Sequence, residues 1–127
     1  MYMRIRTWTH RVSMIILALF FLSSAVILIP VAAAAHSPSK VDLIYDKATK
    51  TLSVTITHTV SDPTSHYVKT VTVMSNDKVV QTMTYNSQPA LDTFTYTYTV
   101  DAAPGTKLSA QAECNYFGSD TGSVSVP

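Results

Sequence analysis

The sequence predicts an all-β fold for residues 36–127: an immunoglobulin-like antiparallel β-sandwich of about seven strands. Three observations point to it. From residue 41 onward apolar and polar residues alternate, which gives each segment one face for a core and one for water. Clusters of turn formers separate the alternating runs: "DKATK" at 46–50, "SDPTS" at 61–65, "SND" at 75–77, "NSQP" at 86–89 and "APGT" at 103–106. No segment past residue 36 repeats at helical spacing, and Thr, Val and Tyr are abundant, as suits a pleated surface. Several short strands with regular turn signals are the pattern of a sandwich.

The strands follow in order. "VDLIYD" (41–46) is the first. "TLSVTITH" (51–58) sets Leu52, Val54, Ile56 and His58 on one face and Thr51, Ser53, Thr55 and Thr57 on the other. "HYVKTVTVM" (66–74) and "KVVQTMTY" (78–85) are the third and fourth. "TFTYTYTV" (93–100) lines up Phe94, Tyr96, Tyr98 and Val100, and "KLSAQAEC" (107–114) lines up Leu108, Ala110, Ala112 and Cys114. "GSVSV" (122–126) closes the set. The tyrosines at 45, 85, 96 and 98 read as sheet packing, and Asp62 and Asp120 as turn formers.

Residues 1–35 differ from the rest. Arg4, Arg6 and Arg11 precede an uncharged apolar run, "MIILALFFLSSAVILIP", and then "VAAAAHSPS". Basic start, apolar middle and small-residue end are the layout of a secretory signal peptide, with Ala33 and Ala35 in an A-x-A site and His36 as the first mature residue. Left uncleaved, the same run is nearly long enough for a signal anchor. Either way the basic flank places residues 36–127 outside the cytoplasm, secreted or held to the membrane by the N-terminal segment. Without the leader, six lysines face eight acids, a net charge of −2. No basic patch remains, so nucleic acid is excluded as a partner.

Exported small domains often rely on disulfides, yet Cys114 is the only cysteine. It pairs between chains, stays free or binds something. His58 continues one inward series and Cys114 another, each at the C-terminal end of its strand. Strands running the same way bring both to one pole. His66 lies where the chain returns from the loop that begins at His58, and His36 lies just before the first strand. His36, His58, His66 and Cys114 are therefore the candidate metal ligands. Imidazole with thiolate suits iron, copper and zinc alike.

These residues resemble the iron-binding domain of superoxide reductases, also called desulfoferrodoxins or neelaredoxins. "HSP" at 36–38 resembles the family's His-x-Pro element. "HTVSDPTSHYV" at 58–68 resembles its loop closing on a His-Tyr-Val strand, and "CNYFG" at 114–118 its Cys-Asn-x-His-Gly element. The resemblance implies iron held by His36, His58 and His66, with Cys114 as axial thiolate and catalytic residue. It further implies reduction of superoxide to hydrogen peroxide with electrons from a separate donor. Two features depart from the family. Phe117 stands where the fourth histidine is expected, and "AAAA" replaces the lysine-bearing loop before the first histidine. Loss of one ligand weakens iron binding and favours copper or zinc. A free amine on a mature His36 would offer one replacement ligand. The competing expectation is a metal-free secreted or surface-anchored immunoglobulin-like module, serving binding or structure, with Phe117 packed where the ion would be.

Overall fold

The computed structural model describes residues 36–127. The leader expected over 1–35 lies outside the described residues. Seven strands form two antiparallel sheets. They are β1 (Lys40–Asp46), β2 (Thr51–Thr57), β3 (Val68–Ser75), β4 (Lys78–Thr84), β5 (Thr93–Thr99), β6 (Lys107–Cys114) and β7 (Ser119–Ser125). The three-stranded sheet has the order β1-β2-β5 and the four-stranded sheet β4-β3-β6-β7. Among the described residues no helix is long and apolar enough to cross a membrane.

The alternation read from the sequence becomes the core. Leu52, Val54 and Ile56 of β2 are fully buried, as are Val71 and Val73 of β3 and Leu108, Ala110 and Ala112 of β6. Val41 and Tyr45 of β1 and Phe94 and Tyr98 of β5 complete the layer between the sheets. Fully burying one Val or Leu side chain contributes about 1.5–3 kcal/mol, so this layer is the main support of the fold. Threonines face outward, and Thr55 and Thr95 pair across the β2–β5 ladder at 2.9 Å.

The two flanks differ. Edge strands β1 and β7 pack closely: a Cβ added at Gly122 of β7 would lie 2.0 Å from the Val41 carbonyl oxygen of β1. Only a glycine lets the backbones approach so nearly. On the other flank β4 and β5 belong to different sheets. Tyr85 bridges that gap by stacking on Tyr96 (centroids 4.1 Å apart) and by a 2.9 Å contact between its hydroxyl and that of Tyr98. Burial pushes the Tyr96 hydroxyl up to about 12.

Three elements depart from expectation. β4 alternates weakly, and Val79, Val80 and Met83 are all exposed, so both faces of this edge strand meet water. β3 begins at Val68 and not at His66. There the N–H of Tyr67 is taken by the Asn115 side chain (2.9 Å) in place of a ladder partner, and the register shifts between Val68 and Thr70. β7 starts at Ser119, three residues earlier than the sequence indicated, and pairs with β6 along its length.

Candidate metal centre

β2 and β6 belong to opposite sheets, and their C-terminal ends meet at one pole. His58 follows Thr57 directly. Its N–H donates to the Asp92 carbonyl (2.8 Å) and the Val60 N–H to the Leu91 carbonyl (2.8 Å), so β2–β5 pairing carries on past the ladder. That extension keeps His58 in phase with Leu52, Val54 and Ile56, and it is only 2% exposed. Cys114 ends the inward series of β6 and is buried as well.

His66 arrives by a different route. Asp62 starts a tight turn in which its carboxylate accepts from the Thr64 N–H (2.9 Å) and hydroxyl (2.7 Å). The His66 N–H then donates to the Asp62 carbonyl (3.0 Å). Such capping is what Asp brings to turns. Asn115 joins this loop to β6. Its side-chain oxygen accepts from the Tyr67 N–H (2.9 Å) and its amide donates to the Ser65 carbonyl (2.9 Å). Its own N–H donates to the Tyr67 carbonyl (3.0 Å). These bonds fix His66 beside Cys114, with Nε2 of His66 3.2 Å from Sγ.

The turn after Cys114 is equally constrained. The Cys114 N–H donates to the Gly118 carbonyl (3.0 Å) and the Tyr116 N–H points at Sγ (3.4 Å). Gly118 has φ +91°, and a Cβ there would fall 2.0 Å from Oγ of Ser37. Glycine is thus required for both conformation and space.

One ligand atom each from His58, His66 and Cys114 lies within 4.8 Å of the others. Metal–ligand bonds of ~2.0–2.3 Å allow at most about 4.6 Å between opposite ligands, so a closure of a few tenths of an ångström would let one ion reach all three. The donor types, two imidazoles and a thiol, suit a transition metal. Burial, together with the neighbouring His58 and His36, holds the His66 imidazole below its ordinary value, which favours the neutral form that ligates.

His36 stands beside this trio, outside the grouping. Its ring lies 5.3 Å from that of His66, centroid to centroid, and 4.7 Å from that of Phe117. What reaches His58 is its main chain: the His36 carbonyl oxygen is 2.9 Å from Nε2 of His58. The buried Nδ1 of His36 has no hydrogen-bond partner. Phe117 is 48% exposed and covers His36 edge-on, while Tyr116 stacks on His66 (4.7 Å). An orphaned nitrogen next to three converging donors fits a centre built for a cation.

Sequence reasoning passed over Gln88, which it left in the "NSQP" turn. Gln88 is 4% exposed and is bonded to both the ring and the carbonyl of His58. No periodicity marks a lone loop residue, so only its position after Ser87 and before Pro89 was visible.

No family model matches the chain, and no curated protein matches it. Among solved structures it is similar in fold to two of a superoxide reductase (neelaredoxin) from Ignicoccus hospitalis. One is 16% identical, with 72% of this chain and 78% of that chain covered and a TM-score of 0.45. The other is 18% identical, with 75% and 83% covered and a TM-score of 0.46.

Proposed function

We propose that this chain is an extracytoplasmic, immunoglobulin-like metal-binding domain whose centre is of the superoxide reductase kind. His58, His66 and Cys114 hold the ion, and His36 completes the site from its edge. The observation that carries the reading is the convergence of His58, His66 and Cys114 within 4.8 Å, although Cys114 lies 48 residues beyond His66 and 56 beyond His58. The "HSP", "HTVSDPTSHYV" and "CNYFG" elements support it.

A bound iron would supply one electron to superoxide, which with two protons becomes hydrogen peroxide, and a separate donor outside the cytoplasm returns the electron. The protein's own part is to shape the approach. Tyr116 and Phe117 border the site with exposed rings, and the Tyr116 N–H directed at Sγ stabilises negative charge on sulfur. With Phe117 in place of a histidine, copper or zinc competes with iron for the site.

The test is metal analysis of the full chain produced with iron, copper or zinc supplied. About one ion per chain, lost in Cys114→Ser, is the expected result, with superoxide consumed and hydrogen peroxide released by the iron form. No uptake of any of the three metals overturns the reading. It would leave the second one, a metal-free exported β-module, which is favoured by the direct His66–Cys114 contact of 3.2 Å.

A further inference from the structure

The amide of Gln88 has every hydrogen-bonding position filled. Its Nε2 donates to the carbonyls of His58 (2.9 Å) and Ala90 (2.8 Å). Its Oε1 accepts from the Val68 N–H (3.3 Å) and stands 2.8 Å from Nδ1 of His58. A flipped amide would set an NH₂ against the Val68 N–H and an oxygen against two carbonyls. Three partners therefore fix which end faces His58. The Gln88 N–H also donates to the Pro63 carbonyl (3.0 Å), which ties its main chain to the loop that delivers His66.

The atom facing Nδ1 of His58 is thus an acceptor. The atom facing Nε2 is the His36 carbonyl oxygen, at 2.9 Å, an acceptor also. A neutral imidazole carries one ring proton, and two oxygens compete for it. The Gln88 oxygen belongs to a buried amide with no other orientation open to it, whereas the contact to the His36 carbonyl is only part-buried. Once the proton sits on Nδ1, the Nε2 lone pair faces the lone pairs of the His36 oxygen at 2.9 Å, too close for an ion to enter between them, so metal binding at Nε2 also moves the His36 carbonyl aside.

We propose that Gln88 is the positioning residue of this centre: it holds the His58 proton on Nδ1 and keeps Nε2 bare for a metal ion, a consequence that rests on the metal-centre reading above. Outer hydrogen bonds of this kind set the tautomer and aim of metal-bound histidines, and losing one typically weakens metal affinity 10–100-fold.

The first measurement needs no variant and no metal. Long-range ¹H–¹⁵N correlation spectra of the metal-free full chain, taken well above the ~6.5 of an ordinary imidazole, report which ring nitrogen of His58 carries the proton. A proton on Nδ1 alone is expected. A proton on Nε2, alone or together with one on Nδ1, overturns the proposal. The second measurement uses Gln88→Glu, which keeps an acceptor toward Nδ1, and Gln88→Met, which keeps the bulk and removes it. In Gln88→Met the proton moves to Nε2 and zinc binds about 10–100-fold more weakly, while Gln88→Glu retains the Nδ1 proton. An unchanged tautomer and unchanged zinc affinity in Gln88→Met overturn the proposal. A wild type that binds no metal removes the metal-centre reading instead, and the spectra distinguish that failure from this one.

Discussion

The two ends of β6 make a natural comparison. At its start, the far pole, polar side chains make exposed bonds to main-chain N–H groups: Asp46 accepts from those of Ala48 (2.8 Å) and Thr49 (3.4 Å), and the Asn76 side chain accepts from that of Lys107 (3.0 Å). At its end, polar side chains are bonded across long stretches of chain: the buried His58–Gln88 pair, the part-buried His66–Cys114 and Asn115–Tyr67 contacts, and the exposed Asn115–Ser65 bond. Buried polar networks contribute little net stability over an apolar core, and they are costly when incomplete. The far pole has a buried long-range bond too, from the Tyr45 hydroxyl to the Val100 carbonyl (2.8 Å), but among the described residues the histidines and the cysteine gather only at the other one.

Matched glycines break this comparison most sharply. Gly105 and Gly118 both have positive φ, +83° and +91°. A Cβ at Gly105 meets nothing within 4 Å, whereas at Gly118 it meets Ser37. Gly105→Ala is expected to cost about 1–2 kcal/mol, the left-handed penalty alone. Gly118→Ala adds an overpacking cost of about 1–3 kcal/mol and abolishes metal uptake by moving Cys114. Urea unfolding and metal analysis of both variants check it, and equal losses would erase the distinction between the poles.

Asparagines come next. Asn115→Ala removes the bonds to the Tyr67 N–H and the Ser65 carbonyl, at about 0.5–1.5 kcal/mol each. It also lets His66 drift from Cys114, so zinc affinity falls. Asn76→Gly keeps the left-handed turn (φ +47°) and loses one exposed bond, at about 0.5–1.5 kcal/mol, with zinc affinity unchanged. Thermal melts and zinc titrations separate the two.

The poles also differ in their response to pH. In the metal-free protein His66 is held below the ordinary imidazole value by burial and by His58 and His36, so the folded chain binds fewer protons than the unfolded chain. Stability is therefore unaffected above about pH 6.5, falls as pH drops below it, and levels off beneath the lowered folded value. Unfolding of the metal-free chain between about pH 8 and 5 should show this slope, and His66→Gln should flatten it.

The smallest effect belongs to the far pole. The Asp46 carboxyl is held below its usual range by Thr49 and Ala48. Its contribution is present above the unfolded carboxylate value and fades as pH falls through the lowered folded one. Asp46→Asn should leave metal binding intact and shift only the acid end of the stability curve.

Much of this was legible because strand parity is a strict rule. Period two placed Leu52, Val54, Ile56, Leu108, Ala110 and Ala112 inside, and the same count carried on to His58 and Cys114. Parity cannot report what lies between elements. It said nothing of Gln88, whose partners are 20 and 30 residues away, nor that His36 would offer His58 its carbonyl and hold its ring aside. The bareness of β4 was hidden too, because an alternating pattern does not reveal whether a second sheet covers it.

One flank of the sandwich is drawn shut by Gly122 against Val41, and the other is spanned by the Tyr85 ring. The molecule is thus bound like a book along a spine. Breathing motions should open it from the β4 and β5 side, so amide hydrogens of those strands should exchange with solvent well before those of β2 and β6.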